Sequence, residues 1–319
     1  MSVDELWFTA LGPSGAGKTT LLACMHKRFE DLLPGSFYPA DPKTFSTLSK
    51  AYKKLEEEAN SPSVEFGVAL EGTGDLRQYA FAIKGRRKSV PVRFFDFPGG
   101  WMNPHDESQK ENYEHVIDIV QKSMVIIAAI NTPYIMEFNG RYKDYAGIDE
   151  IEHVIKMSIN NERDKLILFV PIKCERYTRS PKDRDNMLAK IKEVFSGTLK
   201  MSENPIYRDS LAIAILPIHT VGNAQFSRFE MENGTIVREV YLKNRSIKFT
   251  PKDADQPLRY AMSFLLEEFK KSSSGFWGSF LDFVFSRDNM SEISNFIRDD
   301  IKAYKDGFEI FCGHRLIGI

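Results

Sequence analysis

The sequence has little cysteine, no surplus of either charge and no long apolar run, and each lack excludes something. Only Cys24, Cys174 and Cys312 are present. An odd number at such wide spacing makes neither a disulfide framework nor a zinc site, and a reducing cytosol is the simplest compartment. Lys plus Arg number 43 and Asp plus Glu 44, a net charge of −1. No global basic surplus draws the chain to nucleic acid or anionic lipid. No run of 18 apolar residues occurs, so no transmembrane segment is expected. The opening MSVDELWFTAL carries acids instead of a basic segment, so a secretory leader is not expected either. Repeats and low-complexity tracts are also missing. What remains is a chain of 319 residues, 42% hydrophobic and 27% charged, with ample material for a folded core.

The apolar segments alternate in type. ELWFTAL (5–11), MVIIAAI (124–130), LILFVPI (166–172) and LAIAILPI (211–218) read as buried strands. Helical spacing marks 18–30, 49–59, 106–122, 148–159, 182–195 and 257–271. Residues 31–48 hold three prolines and read as loop. Strands at 78–83 and 90–95, joined by KGRRKS, read as an antiparallel hairpin. Apolar strands alternating with helices imply an α/β fold: a mostly parallel sheet covered on both faces, three layers in all. Residues 225–256 break this rhythm and read as an inserted β-hairpin. The expected organisation is one domain over 1–272 and a helical C-terminal extension over 273–319. SSSG at 272–275 is a candidate hinge, and the aromatic segment GFWGSFLDFVF (275–285) is expected to pack on the domain.

Gly12-Pro13-Ser14-Gly15-Ala16-Gly17-Lys18-Thr19 fits G-x-x-x-x-G-K-[ST], between a strand and a helix that includes Thr20. Glycines allow the backbone to wrap phosphates with its N–H groups, and the helix N-terminus favours anions. Lys18 is the expected phosphate ligand, and Thr19 an expected Mg²⁺ ligand. Asp96, ending the strand RFFD, is a second candidate metal ligand. Asp96-Phe97-Pro98-Gly99 spells D-x-x-G, the GTPase pattern, in which the Gly99 N–H meets the γ-phosphate. Phe97 occupies the place of the glutamate that an ABC-type ATPase needs, and no LSGGQ segment occurs. Thr73, in EGTGDLRQY, is the expected switch threonine on the metal, with Thr44 and Thr47 as alternatives.

Lys173-Cys174-Glu175 follows the strand LILFVPI, where GTPases place [NT]-K-x-D. An acid there accepts from guanine N1–H and the 2-amino group, which adenine lacks as a pair. The lysine stem packs along the base. Ile172 replaces the usual Asn or Thr. The loop His219-Thr220-Val221-Gly222-Asn223 is positioned to pass over the base edge.

With GPSGAGKT, DFPGG, PIKCERY and PIHTVGN in this order, residues 5–270 resemble the TRAFAC-class GTPases, above all the bacterial double-GTPase proteins of conflict and defence systems. The resemblance implies a Ras-like G domain, GTP and Mg²⁺. It also implies operation beside a second GTPase or an effector. Gly100, followed by Trp101, stands where Ras-like members carry the glutamine that orients the attacking water. Hydrolysis is then slow, or another group supplies that function, with His105 and Gln109 as nearby candidates. The expected activity is Mg²⁺-dependent hydrolysis of GTP to GDP and phosphate. A nucleotide-gated module without useful turnover, and an ATPase or small-molecule kinase, are the alternatives.

Overall fold

The computed structural model describes residues 5–63, 65–69, 74–84, 89–138, 145–159, 163–233, 235–271 and 297–319. Strand β1 (Leu6–Leu11) runs at the centre of an eight-stranded sheet. Its parallel neighbours are β5 (Ser89–Asp96) and β6 (Val125–Asn131), and β7 (Lys165–Ile172) and β8 (Leu211–Ile215) continue the parallel run. Beyond β5 lie two antiparallel strands, β4 (Arg77–Lys84) and β2 (Phe37–Pro39). Period-two alternation divides the strand residues between two cores. Val125, Ile127 and Ala129 face one core, while Ile126, Ala128 and Ile130 face the other.

Helix α1 (Lys18–Leu32) and a late helix, Gln256–Lys271, bury Leu21, Leu22, Phe29, Leu258 and Phe264 in the first core. The opposite face is covered by helices Lys110–Lys122, Ile148–Ser158 and Pro181–Val194, through Val116, Ile151 and Ile191. The expected three-layer α/β arrangement is therefore present. Every parallel connection carries its helix to one face or the other, so the parallel strands' C-terminal ends gather at one edge.

Residues 31–48 differ from the loop reading. They contain β2 and the start of helix α2 (Pro42–Asn60). Asp41 caps this helix, accepting from the Thr44 N–H at 2.8 Å, and Pro42 sits in the first turn, where no N–H is required. Pro42 starts a helix instead of excluding one.

The expected hairpin is β9 (Ala224–Glu232) and β10 (Thr235–Lys243). It joins β3 (Glu65–Ala69) in a separate three-stranded antiparallel sheet. The expected helical tail is helical only in part. Strand β11 (Glu309–Cys312) pairs antiparallel with β8 and closes that edge of the main sheet, with Ile310 buried. A short helix, His314–Ile317, follows. GRRK at 85–88, the SSSG hinge candidate and the aromatic segment 275–285 lie outside the described residues.

Candidate functional site: a nucleotide cleft

The phosphate loop leaves the end of β1 and turns directly into α1. Gly12 and Gly17 both adopt positive φ, 151° and 97°. A Cβ on Gly12 would stand 2.8 Å from the Ala129 carbonyl oxygen on the adjacent strand. Gly17 is the left-handed N-cap of α1, a conformation that L side chains resist. The loop closes with the Ala16 N–H donating to the Pro13 carbonyl at 3.2 Å. First-turn amides of a 15-residue helix face the loop, and the first turn holds no acidic residue.

Lys18 is buried, and its Nζ donates to the carbonyls of Gly12 at 2.9 Å and Pro13 at 3.3 Å. Asp96 Oδ1 lies 3.7 Å away. Thr19 Oγ1 donates to Asp96 Oδ2 at 2.8 Å. Burial lowers the Lys18 pKa and raises that of Asp96, each partly opposed by the charge of the other. Asp96 Oδ1 is buried with no hydrogen-bond partner among the described residues. A hydroxyl and a carboxylate with a spare lone-pair face form a hard-oxygen donor set that fits Mg²⁺. Among the described residues, no group of three or more His, Cys, Asp or Glu side chains could hold a metal. A cation held by Thr19 and Asp96 would draw its other ligands from phosphate oxygens and water.

Gly99 lies directly on the phosphate loop. A Cβ there would overlap the backbone of Pro13 and Ser14. The D-x-x-G segment thus begins at the metal-ligand candidate and ends against the loop that is expected to hold phosphate. Thr73 lies outside the described residues. Its alternative Thr44 is committed elsewhere: it donates to Asp41 Oδ2 at 2.8 Å and accepts from the Ala80 N–H at 3.0 Å. Thr47 sits within α2. Gln109 accepts from the Asn112 side chain at 2.7 Å, and His105 is exposed.

On the other side of α1's N-terminus, Lys173 and Glu175 follow the end of β7. A cleft with an empty volume of about 520 Å³, mouth included, lies between the two segments. Gly15, Gly17 and Thr20 line it from the loop and α1, Lys173 and Glu175 from the post-β7 turn, and Val221 from the loop after β8. Glu175 Oε1 stands 3.4 Å from the Val221 amide nitrogen and 3.5 Å from that of Gly222. Sequence spacing alone brings these segments together only if the sheet order is known.

Cys174 is fully buried against the Ile218 carbonyl, and burial raises its thiol pKa well above the ordinary value, so it is a packing residue. His219 is paired with Thr178 Oγ1 at 2.8 Å, and burial lowers its pKa. It is a satisfied structural histidine.

Three further residues of this region, Asn131, Glu239 and Tyr241, escaped the sequence reading. Glu239 is completely buried and pairs with Lys173 Nζ at 2.6 Å. Tyr241 lines the same cleft as Lys173. The one signal in the sequence was Asn131, a polar residue ending an otherwise apolar strand.

A phosphate loop at the C-terminal edge of a parallel sheet, with a carboxylate on the next strand, defines a P-loop nucleotide-binding α/β protein. Residues 9–214 match the Double-GTPase 2 family, so the chain belongs to that family and is a GTP-binding P-loop protein. No curated protein matches it in sequence. Among solved structures it is similar to Methanosarcina barkeri Roco2 RocCORdC bound to GDP, at 13% identity and a TM-score of 0.31. That match covers 68% of this chain but only 44% of the Roco protein. It is also similar to the signal recognition particle receptor SRb-GTP/SRX complex from Chaetomium thermophilum, at 12% identity, TM-score 0.38, 68% of this chain and 92% of the other. A third similar structure is sup35 complexed with GDP, at 8% identity, TM-score 0.32, with 68% and 37% covered. Among the described residues, no helix is long and apolar enough to cross a membrane.

Proposed function

We propose that the protein binds Mg²⁺–GTP in this cleft and hydrolyses it to GDP and phosphate, slowly when alone. One observation carries the reading: the phosphate loop and Lys173/Glu175 line a single cleft, one side suited to phosphate and the other to a base. Backbone amides of Gly12–Thr20 and Lys18 hold the phosphates. Thr19 and Asp96 hold Mg²⁺, with Thr73 as the switch ligand. The ion would offset charge on the β- and γ-phosphates. Gly99 offers its N–H to the γ-phosphate, and Glu175 accepts from guanine N1–H and the 2-amino group. Water attacks the γ-phosphorus in line, and no glutamine at Gly100 orients it.

Residues 1–272 form the G domain in this reading, with the insertion at 225–256 and the extension at 273–319. Membership of a double-GTPase family supports operation beside a second GTPase or an effector, in the cytoplasm, in a bacterial conflict or defence system. Slow turnover fits such pairing, since a partner arginine adds about 10³–10⁵ to the rate in other GTPases.

Calorimetric titration with GTP, GDP, ATP and ADP in Mg²⁺ tests the reading. Guanosine nucleotides are expected to bind in preference, and Glu175→Ala to relax that preference. Equal binding of ATP would overturn the assignment of Lys173 and Glu175. Phosphate release over many turnovers, with and without co-purifying proteins, then separates a hydrolase from a gated module.

A further inference from the structure

The buried carboxylate of Glu239 stands apart from every residue expected from the GTPase motifs. It belongs to β10 of the small sheet, yet its partners lie on the main sheet and in the nucleotide cleft. Oε1 accepts from Asn131 Nδ2 at 2.6 Å. Oε2 accepts from Lys173 Nζ and from the Tyr241 hydroxyl, each at 2.6 Å. Lys173 Nζ also donates to the Gly15 carbonyl at 3.3 Å. An ionised carboxylate withdrawn from water is tolerated only when paired and hydrogen-bonded, and this one has a cation and two neutral donors.

The placement answers a gap in the motif. The residue before Lys173 is Ile172, which has no side-chain donor or acceptor. Its neighbour across the parallel ladder is Asn131, and Thr132 Oγ1 donates to the Ile172 carbonyl at 2.8 Å. Polar contacts absent at 172 are thus made from the adjacent strand and carried to Glu239. Lys173 itself has φ of 57°, an uncommon conformation for a residue with a side chain. Its ammonium is pinned between the phosphate loop and Glu239, which leaves its methylene stem to line the cleft beside Glu175.

We propose that Glu239 is a positioning residue for the guanine base: it fixes Lys173, and through Lys173 the wall on which the base rests. The inserted hairpin is then part of the nucleotide site and not an appendage. This inference rests on the GTP reading above.

Calorimetry on the full chain in Mg²⁺ with GDP, ADP and tripolyphosphate tests it. Glu239→Gln keeps the shape and removes the charge. It should weaken GDP by about tenfold or more and leave tripolyphosphate unchanged. Lys173→Met should act likewise, and the double variant should be no worse than either single. Tyr241→Phe removes one donor to Glu239 and keeps the ion pair. It should show a smaller loss confined to GDP, and it decides the matter if Glu239→Gln does not fold. Unchanged GDP binding, equal loss of GDP and tripolyphosphate, or additive losses would overturn the proposal. A wild-type protein that binds ADP as tightly as GDP would overturn the GTP reading and this proposal with it. A wild type that prefers guanosine, with GDP binding unchanged in both Glu239→Gln and Tyr241→Phe, overturns this proposal alone.

Discussion

Lys18 Nζ lies 3.7 Å from Asp96 Oδ1, closer to an ion pair than to a hydrogen bond, and both groups are almost wholly removed from water. Lys18 is held by the Gly12 and Pro13 carbonyls, but Asp96 Oδ1 is left without a hydrogen-bond donor among the described residues. Bound phosphate would supply anions to Lys18, and a divalent cation would satisfy Asp96. Asp96→Asn should therefore abolish the Mg²⁺ dependence of GTP binding, while Lys18→Ala should weaken GTP and GDP together. Because burial raises the Asp96 pKa, protons compete with the cation. Mg²⁺-dependent affinity should fall as pH is lowered, and titrations at several pH values would read the slope. An Asp96→Asn protein that still needs Mg²⁺ contradicts the metal assignment.

Gly99 touches the phosphate loop where a methyl group would meet the backbone of Pro13 and Ser14. Backbone on both sides cannot yield as a flexible side chain would. Gly99→Ala should push the D-x-x-G segment off the loop and cut the affinity for GTP more than for GDP, since only GTP carries the γ-phosphate. Comparing the two dissociation constants checks this, and an unchanged ratio would count against the γ-phosphate role.

Gly100 has open space around the position a Cβ would take. Substitution there is sterically free, unlike at its neighbour. Gly100→Gln restores a water-orienting side chain and should raise single-turnover GTP hydrolysis by about tenfold, a barrier change of about 1.4 kcal/mol. Affinity for GDP should stay the same. A rate that does not rise would place the catalytic deficit elsewhere than at this residue.

Much of this architecture is legible in the sequence because its signals are local. Val125–Asn131 and Lys165–Ile172 are buried along their whole length, as central parallel strands are, and the phosphate loop announces itself by glycine spacing. Two readings failed where a residue's meaning depends on position. Pro42 suggested loop, yet it occupies the first turn of a capped helix. Glu309–Cys312 looked like part of a helical tail, but the open edge of β8 recruits it as a strand. Glu239 was hidden for a third reason. Strict alternation along ENGTIVREVYLK would put Glu239 and Val240 on opposite sides of the hairpin. Glu239, Val240 and Tyr241 are nevertheless all buried, so both sides of the strand are covered there and alternation marks no polar side. No pattern within one strand could reveal that its partner would be Lys173, 66 residues away in sequence.

Lys165 carries the last prediction, about stability and not nucleotide. It begins β7, is buried to 1% exposure, and its Nζ donates to the carbonyls of Val120, Gln121 and Ser123 at 3.2, 2.8 and 2.8 Å. These acceptors stand at the C-terminal end of helix Lys110–Lys122, where backbone carbonyls lack helical partners and a cation is favoured. Lys165→Met would take this donor from all three, though Val120 keeps the Ser123 N–H, and should cost about 2–4 kcal/mol, read from denaturant unfolding. Burial nonetheless pulls the Lys165 pKa down to about 7, from 10.5. Between those values the unfolded chain binds more protons than the folded one, so this group makes stability rise with pH from about 7 towards 10.5. Below that window both states are protonated and the contribution is flat. The wild type should therefore gain stability over Lys165→Met as pH is raised from 7 to about 9. Profiles that instead run parallel for the two proteins would overturn this and mean that the carbonyl cage holds the proton on Lys165 against the effect of burial.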